Sequence, residues 1–133
     1  MNNMTTVNRK IAAPRPHPET EPFWQAATEG KLLLKKCGDC DEVHFYPRAI
    51  CPHCLSDRTE WITSSGRGKV YSYSTMGKED AAYTLAYVTL DEGVTMLTNL
   101  VDCDPKSLRI GLDVNVVFKP SDGGPPVPMF TPA

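Results

Sequence analysis

Four cysteines crowd into eighteen residues as Cys37-Gly-Asp-Cys40 and Cys51-Pro-His-Cys54, two C-x2-C pairs with ten residues between them. Each pair can close a tight turn whose backbone amides point at the thiolates. Two facing turns then offer four sulfurs to one tetrahedral ion. Thiolates in that geometry select zinc, with iron as the chemical competitor in recombinant protein. Four-sulfur coordination leaves no position for water, so the metal is expected to be structural rather than catalytic. Ten intervening residues are fewer than in the usual ribbon, yet enough for the chain to run out and return across a small knuckle.

Two rival chemistries use the same residues. Cys51-Pro-His-Cys54 has the form of a dithiol redox motif, in which a helix N-terminus lowers the first thiol's pKa. The following Leu55 to Trp61 and Ser64-Ser65-Gly66 contain no sustained amphipathic helix, and a redox site leaves the second pair unexplained. Two disulfides require an oxidising compartment. Nothing marks this chain as secreted: Met1 to Val7 lacks the apolar core of a signal peptide. The apolar runs are also too short to cross a bilayer, so no membrane association is expected and the cytoplasm is the expected location. His44 and His53 lie close to the turns, but four cysteines already complete the shell.

A knuckle this small cannot bury a core, so metal binding is expected to supply much of its folding energy, on the order of 10 kcal/mol. The elements that position it are legible. Lys31 to Lys36 reads as a strand entering the first turn, Phe45-Tyr46-Pro47-Arg48 as the return, and Trp61-Ile62 as the exit. Upstream, Thr20-Glu21-Pro22 has a cap residue, an acidic first turn and an early proline, and Gly30 stands where a short helix would stop. Its Phe23 and Trp24 are adjacent and cannot both face one narrow groove. They read as packing on the chain's own body or, alternatively, as an anchor for a second subunit. Residues 1–19, where Pro14, Pro16 and Pro18 alternate with Arg15 and His17, read as a flexible arm or a segment lying on a partner.

From Gly66 the character turns to β. Strands are expected over 68–76, 83–90, 94–101 and 114–118, with a fifth at 127–130 that its prolines make edge-like. Asp91-Glu92-Gly93 is a hairpin signal. Leu108 to Leu112 reads as a turn plugging a barrel end, and Cys103 as a strand-end thiol. The fold class is therefore mainly β: a short helix with a zinc ribbon over 20–64, then a five-stranded OB-fold barrel over 65–133.

The 133 residues carry a net charge of −2, which counts against a general nucleic-acid binder, since such proteins gain affinity from many phosphate contacts. A single-strand-binding ribbon/OB module remains the alternative, because OB strands with aromatics stack bases. No paired acid/base residues and no nucleophile elbow are present. Gly66-Arg67-Gly68-Lys69 lacks the phosphate-loop pattern and is not followed by a helix. It reads more simply as a tight turn between ribbon and barrel.

The whole order of motifs carries a resemblance. It runs Phe23-Trp24, Gly30-Lys-Leu-Leu, Cys37-x2-Cys40, Pro47-Arg48, Cys51-x2-Cys54 and Trp61. Ser65-Gly66-Arg-Gly68-Lys-Val-Tyr-Ser, Val88 to Gly93, Ile110-Gly111 and Pro128-Met-Phe-Thr-Pro follow. From about residue 20 to the end, this is similar to the DUF35 family of zinc-ribbon/OB-fold proteins associated with acyl-CoA metabolism. The resemblance implies a rubredoxin-like ribbon beside the barrel. It also implies a non-catalytic small subunit for a thiolase-superfamily enzyme (thiolase, acyltransferase or aldolase), in a 2:2 complex that shares its acyl-CoA with the partner. On that reading Arg48, Arg67 and Lys69 are candidates for the phosphates of CoA, and Phe45, Tyr71 and Tyr73 for stacking on its adenine.

Overall fold

The computed structural model describes residues 11–78 and 82–133. Helix α1 spans Glu21–Thr28. It stops because Gly30 takes a φ of +76°, which lets the Gly30 amide reach Ala27 O at 3.1 Å and the Lys31 amide reach Ala26 O at 3.0 Å. Thr20 does not cap the helix with its side chain; its hydroxyl instead accepts from His17 N and donates to His17 O.

Three strands, β1 (Leu33–Cys37), β2 (Val43–His44) and β3 (Thr59–Thr63), form a sheet in the order β2-β1-β3. The tight turn between β1 and β2 holds the first cysteine pair, and the longer β2–β3 connection holds the second. Five further strands close into a barrel in the order β4-β5-β6-β8-β7: β4 (Arg67–Met76), β5 (Tyr83–Leu90), β6 (Thr95–Leu100), β7 (Asp113–Lys119) and β8 (Val127–Pro132). A 3₁₀ turn at Pro105–Ser107 crosses from β6 to β7, and Leu108 after it is buried in the core.

The last strand is not an edge. It sits between β6 and β7, antiparallel to β7 from Val127 to Pro132 and parallel to β6 at Leu100↔Phe130. Phe130 O accepts from Val101 N, so even-numbered residues of β8 turn their polar backbone groups toward β6. The missing amides of Pro128 and Pro132 fall on that side, where pairing is confined to one residue pair, and the β7 ladder stays intact.

One apolar cluster unites all three parts. Phe23 and Trp24 of the helix, Leu34 of the ribbon, and Val70, Val88, Leu100 and Phe130 of the barrel are buried together. The helix packs on β1, and its two adjacent aromatics are both buried in the common cluster. Phe23 meets Trp24 edge-on at 4.9 Å and lies 5.6 Å from the rings of both Phe45 and Tyr46. The expected arm falls partly outside the described residues. From Ile11 onward the segment is tied to the barrel: Ile11 O accepts from Asp122 N, and Ala12 pairs in parallel with Asp122. No helix among the described residues is long and apolar enough to cross a membrane.

Candidate metal centre

Each cysteine pair folds as a turn because its own backbone satisfies it. Cys37 O accepts from Asp41 N, and Cys51 O accepts from Leu55 N. Asp41 and Leu55 adopt φ values of +64° and +67°, which reverses the chain after each pair. These reversals aim amides at the sulfurs: Asp39 N and Cys40 N lie 3.4 and 3.5 Å from Cys37 Sγ, and His53 N lies 3.4 Å from Cys51 Sγ. An Asp39–Arg58 ion pair at 2.9 Å and a Gly38 N–Arg58 O bond at 2.7 Å bind the first turn to the chain leaving the second.

The four sulfurs all lie within 4.8 Å of one another. Cys37 Sγ stands 3.6 Å from Cys54 Sγ, and Cys40 Sγ 3.7 Å from Cys51 Sγ. A tetrahedron with zinc–sulfur bonds of about 2.3 Å has edges of about 3.8 Å, whereas a disulfide requires about 2.05 Å. The residues fit a closed four-sulfur zinc site. Their electrostatics agree. The Cys40 amide, with lesser help from that of Asp39 and the neighbouring sulfurs, brings the Cys37 thiol down to about 6 against the cost of burial. At Cys40 the Glu42 amide favours the thiolate, but desolvation and the three nearby sulfurs outweigh it and push the thiol up to about 12. Thiolates packed this closely repel one another, and a divalent cation at their centre removes the conflict.

His44 is no ligand in this arrangement. It is buried, its Nε2 accepts from Arg48 N at 3.3 Å, and its Nδ1 meets no partner among the described residues. Burial, foremost, lowers its pKa. Cys103 is buried in the barrel core, apart from the four-sulfur cluster.

Among the described residues, the depression that Arg67 and Lys69 line is not shared by Phe45, Arg48, Tyr71 or Tyr73. Arg67 and Lys69 line a shallow depression with Asp91 and Asp113 and are ion-paired to them at 3.4 and 2.5 Å. Arg48 lies 3.9 Å from Glu19 and 5.7 Å from the Tyr46 ring. Phe45 packs into the aromatic cluster, Tyr73 donates to Leu108 O at 2.9 Å, and Tyr71 is 65% exposed. Phe23 and Trp24 are 2% and 9% exposed, so this chain's own core already covers both.

Two contributors escaped the sequence. Glu92 clamps the ribbon–barrel junction, its carboxylate accepting from Ser64 Oγ and Ser65 N at 2.8 Å each. Lys35, although charged, is buried with its ammonium 4.4 Å from the Trp61 ring centre and 3.2 Å from Thr59 Oγ1. The only advance signal for Lys35 was its place in an apolar strand.

Residues 24–60 match the family described as the ChsH2 rubredoxin-like zinc ribbon domain, and residues 61–119 the ChsH2 C-terminal OB-fold domain. A DUF35 domain-containing scaffold protein of Methanothermobacter thermautotrophicus is 40% identical over 66% of this chain and 71% of its own length. A probable enoyl-CoA hydratase alpha subunit of Thermomonospora curvata is 32% identical over 96% of this chain, which spans only 43% of that protein. The benzoylsuccinyl-CoA thiolase subunit BbsA of Geobacter metallireducens is 37% identical over 50% of this chain and 45% of its own. Among solved structures, the Ltp2-ChsH2(DUF35) aldolase contains a chain that superposes with a TM-score of 0.76 at 30% identity, covering 90% of this chain and 98% of that one. With its four-sulfur ribbon followed by a closed OB barrel, the chain belongs to the DUF35 family.

Proposed function

We propose that this chain is the non-catalytic small subunit of an acyl-CoA-processing enzyme whose large subunit has the thiolase-superfamily fold. The observation that carries the reading is the match, over nearly the full length of both chains, to the DUF35 component of a two-protein aldolase. The relatives named as a thiolase subunit and a scaffold protein point the same way. The chain's own chemistry is consistent with it. Its clustered thiols are arranged for a closed metal site, Cys103 is buried, and the His44 imidazole is buried against a backbone amide.

In this reading the zinc holds the ribbon in shape, the ribbon and barrel present surfaces to the large subunit in a 2:2 complex, and the acyl-CoA lies between the chains. Arg48, Arg67 and Lys69 would meet its phosphates, at the cost of displacing Asp91 and Asp113 from the latter two. Tyr71, the most open of the three aromatic candidates, is the best placed to stack on adenine.

The test is affinity purification of the tagged chain from its own host, followed by assays of each fraction. A thiolase-superfamily protein should copurify, and turnover of acyl-CoA substrates should require it. Turnover by the small chain alone, or a wild-type chain that retains no such protein, would overturn the reading.

A further inference from the structure

The four cysteines of the metal centre are not equally protected. Cys37 and Cys51 are buried, Cys40 is half-buried and Cys54 is exposed. The asymmetry follows from where each one sits. Cys37 ends β1, whose Leu34 lies in the common core. Pro52, His53, Cys54 and Leu55, by contrast, are four consecutive exposed residues at the second turn. Backbone amides also cover the buried pair: Asp39 N and Cys40 N reach Cys37 Sγ, and His53 N reaches Cys51 Sγ.

A thiolate at an exposed position attacks peroxidic oxygen, and the sulfenic acid so formed condenses with a neighbouring thiol. The neighbour is in place. Cys54 Sγ stands 3.6 Å from Cys37 Sγ on the opposite turn, and a disulfide requires about 2.05 Å. The two turns are also fastened to each other by protein contacts. Arg58 pairs with Asp39 at 2.9 Å, Arg58 O accepts from Gly38 N at 2.7 Å, and Ser56 Oγ donates to Asp39. These ties keep Cys37 and Cys54 apposed while their sulfurs react.

We propose that the ribbon is a redox switch: a hydroperoxide oxidises Cys54, Cys37 resolves it as a disulfide across the two turns, and the metal is released. In the first step the Cys54 thiolate attacks the outer oxygen of the hydroperoxide. An S–O bond forms, the O–O bond breaks, and the alkoxide leaves (hydroxide, for hydrogen peroxide) and takes a proton from solvent. The sulfur has given up two electrons and is a sulfenic acid. In the second step the Cys37 thiolate attacks that sulfur; S–S forms, S–O breaks, and hydroxide leaves to be protonated as water. Two thiolates are oxidised and one hydroperoxide is reduced. Cys40 and Cys51 alone do not make a four-sulfur shell, so the ribbon loses its zinc and a large share of its folding energy. Thiol–disulfide exchange with a dithiol reductant reverses the change. The switch belongs to this chain alone and is independent of its partner.

The test uses the full, zinc-loaded chain and hydrogen peroxide. A colorimetric indicator follows released zinc, and mass spectrometry after thiol alkylation maps the disulfides. The wild type should release its zinc, form a Cys37–Cys54 disulfide, and take the metal up again with dithiothreitol and added zinc. N-ethylmaleimide should label Cys54 of the zinc-loaded protein before Cys37 or Cys51. Cys54→His keeps a zinc-binding side chain without the oxidisable sulfur. It should slow peroxide-driven release by about tenfold or more. Cys103→Ser, altering a thiol buried in the barrel core, should release zinc at the wild-type rate.

Zinc that stays bound under peroxide, a disulfide within one turn such as Cys51–Cys54, or first labelling at Cys37 or Cys51 would each overturn the switch. The wild-type disulfide map and labelling order decide the matter if Cys54→His fails to hold metal. None of these outcomes alters the partner assignment, which stands or falls on copurification.

Discussion

Trp24 Nε1 donates a 3.0 Å hydrogen bond to Tyr46 Oη, joining helix α1 to the return limb of the metal knuckle 22 residues further on. The same indole lies edge-on to Phe23, so one side chain ties the helix to both the ribbon and the common core. Trp24→Ala should therefore destabilise the fold by about 3–5 kcal/mol. Trp24→Phe keeps a ring but loses the donor, and should cost less. Urea unfolding of zinc-loaded protein measures both, and a Trp24→Ala variant as stable as the wild type would show that the indole is not structural.

The metal centre makes a stoichiometric prediction. Fresh protein should contain one zinc equivalent, with iron as an occasional substitute in recombinant material. Cys40→Ser should lose the metal and the ribbon's structure, while Cys103→Ser, altering a thiol outside the cluster, should retain the metal. Because the ligands bind as thiolates, acid should release zinc. Elemental analysis and a colorimetric zinc indicator follow both effects. Less than half an equivalent of metal in the wild type would contradict the site.

The ribbon–barrel junction depends on Glu92. Its carboxylate accepts from Ser64 Oγ and Ser65 N, and Ser64 Oγ in turn accepts from Gly66 N at 3.0 Å. Glu92→Ala should cost about 1–3 kcal/mol, the range for losing charge-assisted bonds at a partly buried site. It should also speed hydrogen exchange at the amides of Ser65 and Gly66. Exchange rates there that match the wild type would show that the clamp is dispensable.

His44 provides a pH dependence with a definite sign. Burial, chiefly, holds its folded pKa below the ordinary 6.5. The unfolded chain therefore takes up the proton first. The contribution to stability is complete above the unfolded value and is lost as pH falls from there through the folded pKa. His44→Gln keeps an acceptor for the Arg48 amide without a titrating ring, and should lose less stability than the wild type between pH 7.5 and pH 5.5. Melting curves with zinc held saturating measure the difference, and parallel pH profiles would exclude the effect.

The metal centre was legible in the sequence because its ligands are local. Four cysteines within eighteen residues encode their own turns, and the spacing alone brings the sulfurs together. The barrel strands were legible because alternation marks a sheet with one buried face, and Gly30 marked the helix end because few residues other than glycine take its positive φ readily. Position within the barrel was another matter. Pro128 and Pro132 made the last strand look like an edge. Only the pairing of β8 with β6 and β7 showed that the missing amides fall where the ladder does not need them. The adjacency of Phe23 and Trp24 left open whether both pack on this chain or one anchors a second subunit, and tertiary packing buries both in the common core. Arg67 and Lys69 looked free as a sequence and are paired with Asp91 and Asp113, partners 24 and 44 residues away. Local chemistry is written in spacing; which residues are left to face a partner is decided by contacts between distant parts of the chain, and those exist only once it has folded.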